Sequence, residues 1–199
     1  MVLLLATLAM QVAAAAAVAN DASCSTSLAF VRPASSEALR NFLLGTWRLR
    51  KAMTYNAGGI SGRFDGDATF ADVSTDNSLV TFTESGRFTA SAGSYSAGMD
   101  PVDMRNQLLY DFREPNEVSV FFDEAGTLTT SDSDVDLSQM RFLHTLGIGP
   151  TYEISEHSEG EVVYRGELEI ETSNAFMLSW QATGPQVDGQ IISLFTRDD

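Results

Sequence analysis

The chain has 199 residues, and its 12 Lys and Arg residues against 27 Asp and Glu residues give a net charge of −15. Because phosphate contacts need clustered Lys and Arg, this charge argues against nucleic acids and anionic membrane surfaces as partners. The single Cys excludes an intramolecular disulfide and a Cys zinc cluster. With 44% apolar and 20% charged residues, the composition predicts a folded domain rather than an acidic disordered tail.

The first 29 residues are predicted to be a targeting presequence. Residues 1–19 are apolar and carry no charged side chain, and they end in Ala17-Val18-Ala19, the small-x-small form of a signal-peptidase site. The stretch is shorter and richer in Ala than a membrane-spanning helix of about 20 residues, which argues against a membrane anchor. We expect the protein not to associate with a membrane once the presequence is removed. A buried Ala-rich helix is the alternative interpretation.

The segment after the apolar stretch indicates a compartment. Ala29-Phe30-Val31-Arg32-Pro33 resembles the cleavage motif of bipartite presequences in algae with complex plastids. Residues 30–40 are accordingly predicted to be a transit-like linker that runs into the start of a short helix. The protein is expected outside the cytosol, in a plastid, with simple secretion as the alternative.

One short helix is predicted at the start of the folded region. Ser36 is the expected N-cap, Leu39 and Phe42 recur at helical spacing, and Gly45 ends the helix. Residues 41–199 are predicted to form one domain, which is long enough to bury a sizeable core.

Downstream of Gly45, apolar residues recur at strand spacing in about ten short segments separated by Gly, Pro, Asn and Asp. Glu84-Ser85-Gly86 is predicted to turn a hairpin between two of these strands. Residues 94–106 and 124–139 are predicted to be long polar loops. No long helical pattern interrupts the strands, which argues against a parallel α/β sheet. The predicted fold class is therefore all-β, with a single antiparallel barrel.

The two ends of the strand region favour a barrel over a sandwich. Closing a barrel pairs the first strand with the last, which places Trp47 under the Arg197 guanidinium. The Gly-x-Trp pattern that begins at Gly45, together with the terminal Arg, resembles lipocalin-like barrels. Gly45, Trp47 and Arg197 are interpreted as a structural latch rather than as a ligand site.

Five segments carry a wider resemblance, which covers roughly residues 40–197. They are Phe42 to Trp47, Gly62 to Phe70, Glu84 to Gly86, His157 with Tyr164 to Gly166, and the set of Trp180, Gly184-Pro185 and Arg197. Together they resemble an uncharacterised bacterial and eukaryotic family of lipocalin-like domains. The chain departs from the family pattern at Glu159 and Val162, where the family carries Cys and Asp. The resemblance implies a lipocalin-like barrel and implies no particular reaction.

Six residues are candidates for contact with a ligand, because a barrel of this size can hold one small molecule in its interior. They are Lys51, Tyr55, Tyr110, His144, Tyr164 and Trp180. Lys51 shares a strand face with Trp47, so on an interior face it is expected to receive an acidic head group such as a fatty-acid carboxylate. Pairing of Lys51 with a surface Asp or Glu is the alternative.

His157 and Tyr164 are the candidates for catalysis, because imidazole and phenol groups bind carbonyls and transfer protons near neutral pH. The alternative places His157 idle in a turn over residues 155–160 and Tyr164 in the barrel wall. No cofactor is expected. No metal is expected either, since the acidic residues 132–136 lack the Gly and Glu that an EF-hand loop requires.

The sequence favours a binding protein for a small hydrophobic or amphipathic ligand, and it favours this over an enzyme. One alternative is an isomerase, cyclase or decarboxylase that uses His157 and Tyr164 on the same barrel. Another is a plastid assembly or chromophore-handling factor. An assembly factor would have a filled barrel and an exposed apolar patch outside. The identity of the ligand and the oligomeric state stay open.

Overall fold

A single antiparallel sheet contains most of the residues that the structure describes. The structure is a computed structural model that describes residues 30–73, 78–91, 100–123 and 135–198, so the predicted presequence over residues 1–29 lies outside the described residues. The elements in chain order are α1 (Ser36–Leu43), β1 (Gly45–Ala57), β2 (Gly62–Asp72), β3 (Leu79–Ala90), β4 (Val102–Asp111), β5 (Glu117–Phe122), a 3-10 turn (Leu137–Gln139), β6 (Arg141–Ile148), β7 (Tyr152–Ile154), β8 (His157–Glu159), β9 (Val162–Thr172), β10 (Ala175–Thr183) and β11 (Asp188–Thr196).

The sheet closes on itself into a barrel. Except for β7 with β8, each strand pairs with the next along the chain, and β1 pairs with β11 to complete the ring. The short strands β7 and β8 both pair with β9 and share one position in the barrel, so the wall has ten positions. The prediction of an antiparallel all-β barrel of about ten strands with one short N-terminal helix is confirmed.

The N-cap of α1 differs from the prediction. Ser35, not Ser36, has the extended backbone of an N-cap, and its side chain accepts a hydrogen bond from the Ala38 N–H. Ser36 is the first helical residue, and its buried hydroxyl donates instead to the Glu114 carbonyl at 2.5 Å. Gly45 follows the helix with a φ of +110°, a conformation that favours glycine.

The predicted hairpin at Glu84-Ser85-Gly86 is wrong, because β3 runs through these residues without a turn. Gly86 does not have a positive φ; it lies directly opposite Gly66 on β2. A Cβ added at Gly86 would meet the Gly66 Cα at 2.6 Å. Glycine is therefore required here for the close approach of two strands. Since the strand continues, Glu84 belongs to the barrel wall.

Two further expectations about loops are corrected. β4 already begins at Val102, because its ladder with β3 extends to the pair of Val102 with Phe88, so residues 102–106 of the predicted loop 94–106 belong to a strand. His157 does not lie in a turn over residues 155–160; it begins β8 and pairs directly with Tyr164 of β9. The acidic residues 132–136 lie mostly outside the described residues.

The end of the barrel next to α1 is filled with aromatic side chains. The rings of Phe176 and Phe195 stack at 4.2 Å, and Trp47 packs edge-on against Phe176 at 4.8 Å. The Trp47 indole N–H donates to the Leu43 carbonyl at 2.7 Å. Phe42 of α1 covers this cluster, so the helix seals one end of the barrel. Over the described ranges, no helix is long and apolar enough to cross a membrane.

Candidate functional site in the barrel interior

A partly enclosed cavity of about 230 Å³ lies in the barrel, beyond the aromatic cluster. Most of its wall is apolar and comes from the inward faces of the strands, together with one residue of α1. The lining residues are Leu43, Lys51, Phe70, Phe82, Asn106, Leu108, Tyr110, Val120, His144, Leu146, Ile154, Leu168, Phe176, Leu178, Trp180, Ile191, Ser193 and Phe195.

The structure brings four of the six predicted ligand-binding residues together on the cavity wall. They are Lys51, Tyr110, His144 and Trp180. Tyr55 and Tyr164 lie off this wall. The ring of Tyr55 instead covers Gly189 on the neighbouring strand. A Cβ added at Gly189 would lie 2.7 Å from Cε1 of that ring. Contact of these residues with a ligand stays a prediction.

Lys51 is turned into the barrel and forms an ion pair with Glu84 of β3. The side chains are 16% and 11% exposed, so both charges are largely withdrawn from solvent. The Lys51 ammonium also lies 5.5 Å from the centre of the Phe64 ring. The small residues Gly66 and Ala68 occupy the inward positions of β2 between the two charged residues, opposite Gly86 and Glu84. They leave room for the lysine to reach across β2.

Three uncharged polar groups face the same space. The Asn106 amide and the hydroxyl groups of Tyr110 and Ser193 line the cavity, and no other described residue accepts from them or donates to them. Asn106 pairs with Glu84 in the β3–β4 ladder, and Ser193 pairs with Lys51 in the β1–β11 ladder. Burial raises the pKa of Tyr110, and the nearby charge of Glu84 raises it further, so its hydroxyl stays protonated.

Four aromatic side chains contact one another at the end of the barrel opposite α1. His157 lies flat on the Tyr164 ring, with centres 4.8 Å apart and planes 8° from parallel. His144 is 5.8 Å from His157, and both rings meet Trp180 edge-on at 4.9 and 5.4 Å. The cross-strand pairing of His157 with Tyr164 produces the first stack directly.

The two histidines are held in their neutral form. Burial, together with the neighbouring His157, lowers the pKa of His144 to about 4. Burial also lowers the pKa of His157, where the charges of Glu159 and Arg141 act in opposite directions. The Nδ1 atoms of both rings are buried without a hydrogen-bond partner. His144 therefore presents an uncharged ring to the cavity near neutral pH.

Gly166 sets the position of Trp180 on the cavity wall. The two residues are cross-strand partners in the β9–β10 ladder. A Cβ at position 166 would lie 2.7 Å from the Trp180 ring, so only glycine lets the indole lie flat over β9. The space that the missing side chain leaves is thus occupied by the Trp180 ring.

Sequence reasoning missed three polar residues of the cavity region. Glu84 was assigned to a turn and Asn106 to a loop, whereas Ser193 lies in an apolar strand with no distinguishing neighbour. The alternation of β4 offers one usable signal, since Asn106, Leu108 and Tyr110 share a face. In the part of the chain that the structure describes, no group of three or more His, Cys, Asp or Glu side chains is placed to hold a metal ion.

The latch residues meet as the closed barrel requires. The Arg197 guanidinium lies 4.2 Å from the centre of the Trp47 ring. It also donates to the Ser173 carbonyl at 3.0 Å and to the Leu44 carbonyl at 3.4 Å. These contacts join the last strand to α1 and to the β9–β10 turn, at the end of the barrel away from the polar cavity groups.

With this architecture established, the chain is identified as a closed, ten-stranded antiparallel β-barrel protein. It belongs to a family of unknown function (DUF6314), whose sequence profile matches residues 43–197. The family resemblance inferred from the sequence motifs is thereby confirmed. No curated protein matches the chain significantly.

Among solved structures, the chain is similar to the S-type phycobiliprotein lyase CPES from Guillardia theta. The TM-score is 0.53 at 10% identity, over 83% of this chain and 93% of the lyase. A designed fluorescence-activating β-barrel also matches, with a TM-score of 0.37 at 11% identity, over 80% of this chain and 96% of the design. At such identity, the first similarity shows a shared barrel fold and no shared chemistry.

Proposed function

We propose that the protein binds a small, mainly apolar molecule inside its barrel. The cavity of about 230 Å³, with an apolar wall and a few polar groups gathered on it, is the observation that carries this proposal. A structural barrel with no ligand would be expected to fill this space with side chains, as the end next to α1 does. The unfilled interior likewise favours binding over the assembly-factor alternative.

The cavity volume sets the size class of the ligand. An engineered protein cavity of about 150 Å³ accommodates benzene. A volume of about 230 Å³ therefore suits a single-ring molecule of about ten non-hydrogen atoms. Typical pockets for larger ligands begin at about 300 Å³. The size favours a monocyclic ligand over the fatty acid or the chromophore considered from the sequence.

The arrangement of His157 and Tyr164 gives the enzymatic alternative little support. General acid–base catalysis needs a nitrogen or oxygen within hydrogen-bond reach of the reacting group. The two rings instead meet face to face, and neither residue lines the cavity. Their contact is that of a stacked cross-strand pair, which contributes packing energy.

The predicted compartment is retained as part of the proposal. The apolar residues 1–19 and the motif at Ala29 to Pro33 support a presequence that directs the protein to a plastid or to secretion. N-terminal sequencing of the protein purified from its source tests this. A start at Phe30 supports the plastid route and a start at Asn20 supports secretion, whereas an intact Met1 contradicts both.

Toluene binding tests the binding function directly. Trp180 lines the cavity and Trp47 does not, so a ligand in the barrel is expected to change tryptophan fluorescence in the wild-type protein but not in Trp180→Phe. Toluene should also raise the melting temperature, because it binds only the folded state.

A cavity-filling variant provides the control. Leu108 faces the cavity, whereas its neighbour Leu109 packs in a separate small cluster. Leu108→Phe should weaken toluene binding by about tenfold or more, and Leu109→Met should leave it unchanged. Equal toluene affinity in both variants would contradict binding in the barrel.

A further inference from the structure

We infer that the ligand is an uncharged single-ring molecule whose head group both donates and accepts hydrogen bonds, as a carboxamide does. This inference rests on the proposed binding function and names the ligand class. It is carried by the Lys51–Glu84 pair and by the uncharged polar groups that surround it. It replaces the expectation that Lys51 receives a ligand carboxylate.

The position of Lys51 is the first observation. It is the only lysine in the chain, and it lies inside the barrel rather than on the surface, where lysines normally lie. Placing a long charged side chain in the barrel costs free energy unless its charge is compensated. Its presence beside the cavity points to a role in recognition.

Glu84 already compensates that charge. With the ion pair formed and His144 neutral, the described part of the cavity wall carries no net charge. A ligand carboxylate would add an uncompensated negative charge to this largely buried site, and a ligand cation would add a positive one. Either would have to displace one partner of the existing pair and leave that partner buried alone. An uncharged ligand carries no such cost.

The polar groups around the pair define what the head group must offer. The Lys51 ammonium has N–H groups left over after pairing with one carboxylate, so it can donate to a ligand carbonyl. The Asn106 amide offers a donor and an acceptor, and the hydroxyl groups of Tyr110 and Ser193 offer both as well. A carboxamide satisfies a donor and an acceptor at once, and its ring would lie against the apolar wall.

Three probes of nearly equal size separate the charge states. Benzamide is neutral, benzoate is an anion and benzamidinium is a cation near neutral pH, and toluene serves as the apolar reference. In calorimetric titration of the wild-type protein, we expect the affinity for benzamide to be about tenfold higher than the affinity for either ion. Benzoate binding as tightly as benzamide would overturn the inference.

Two variants should shift the preference in opposite directions. Glu84→Gln leaves the Lys51 charge unpaired, so the affinity for benzoate should rise about tenfold relative to the affinity for benzamide. Lys51→Met leaves Glu84 unpaired, so the affinity for benzamidinium should rise instead. Glu167→Gln, which removes an exposed carboxylate on the outward face of β9, is the matched control and should leave the order unchanged. A variant that does not fold leaves the wild-type ranking as the deciding measurement.

The outcomes separate the two proposals. If none of the four probes binds, the proposed binding function fails. If toluene binds but benzamide gains nothing over the two ions, the binding function stands and the inference about the head group is wrong.

Discussion

The two halves of the barrel interior are built in opposite ways. Next to α1, aromatic rings fill the space, and the polar groups of Trp47 and Arg197 have hydrogen-bond partners. In the half that holds the cavity, the His144 Nδ1 is buried without a hydrogen-bond partner, and the side-chain amide of the half-buried Asn106 faces the cavity. Buried polar groups without partners cost stability. The first half therefore holds the fold together, and the second half is the part available to a ligand.

The largest effect is expected from breaking the buried ion pair. Lys51→Met should lower the free energy of unfolding by about 3–5 kcal/mol, because Glu84 is then left charged and largely buried. Replacing both residues, as Lys51→Met with Glu84→Leu, should restore most of the loss. Urea denaturation measures both changes.

An exposed ion pair is the control for this prediction. Arg165 and Glu156 are paired on the surface, and both are more than half exposed. Arg165→Met should therefore cost less than about 1 kcal/mol. If Lys51→Met proves no more harmful than Arg165→Met, the interior pair does not have the energetic role assigned to it.

An intermediate loss of stability is expected when the pH is lowered. The pKa of His144 lies near 4 in the folded protein, below the ordinary value of 6.5, so the unfolded chain binds a proton more readily. Stability from this group is complete above pH 6.5 and falls as the pH drops toward 4. Between pH 7 and pH 4.5, protonation of His144 should lower the free energy of unfolding by about 2 kcal/mol.

Comparison with a His144→Gln variant isolates this contribution from that of the carboxylates. The wild-type protein should lose about 2 kcal/mol more than the variant over the same pH range, as measured by urea denaturation at each pH. Because His157 faces His144 and also has a lowered pKa, His157→Gln should reduce the difference only in part. Parallel loss in the wild type and His144→Gln would show that His144 is not buried as described.

The smallest effect is expected at the end next to α1. Arg197→Met removes the contact with the Trp47 ring and the hydrogen bond to Ser173, which should cost about 1 kcal/mol. The cavity lies apart from this contact, so the affinity for toluene should not change. Thermal unfolding and the fluorescence titration measure the two quantities, and lost toluene binding would contradict the division of the barrel into two halves.

Much of the fold could be predicted because its signals are local or follow from closure. Strand spacing predicts the all-β class, and the pairing of the first strand with the last follows once a barrel is assumed. The same logic places Lys51 inside, since it shares a face with Trp47. Of the four candidate residues that line the cavity, Lys51 was placed there for this reason.

Glu84 could not be predicted because its environment is set by a distant segment. A Glu-Ser-Gly sequence has the composition of a turn, but Gly86 is there for close approach to Gly66, some twenty residues earlier in the chain. The meeting of His144 with His157 likewise depends on β8 sharing a barrel position with β7. No local pattern in either segment indicates that contact.

A crystal structure of the wild-type protein soaked with benzamide would show whether the barrel interior binds an uncharged ring through its polar groups. We expect benzamide in the barrel, with its amide within hydrogen-bond distance of Lys51 and Asn106 and its ring against the apolar wall near Trp180. Benzamide bound only on the outer surface, or a barrel interior filled by side chains, would contradict this expectation.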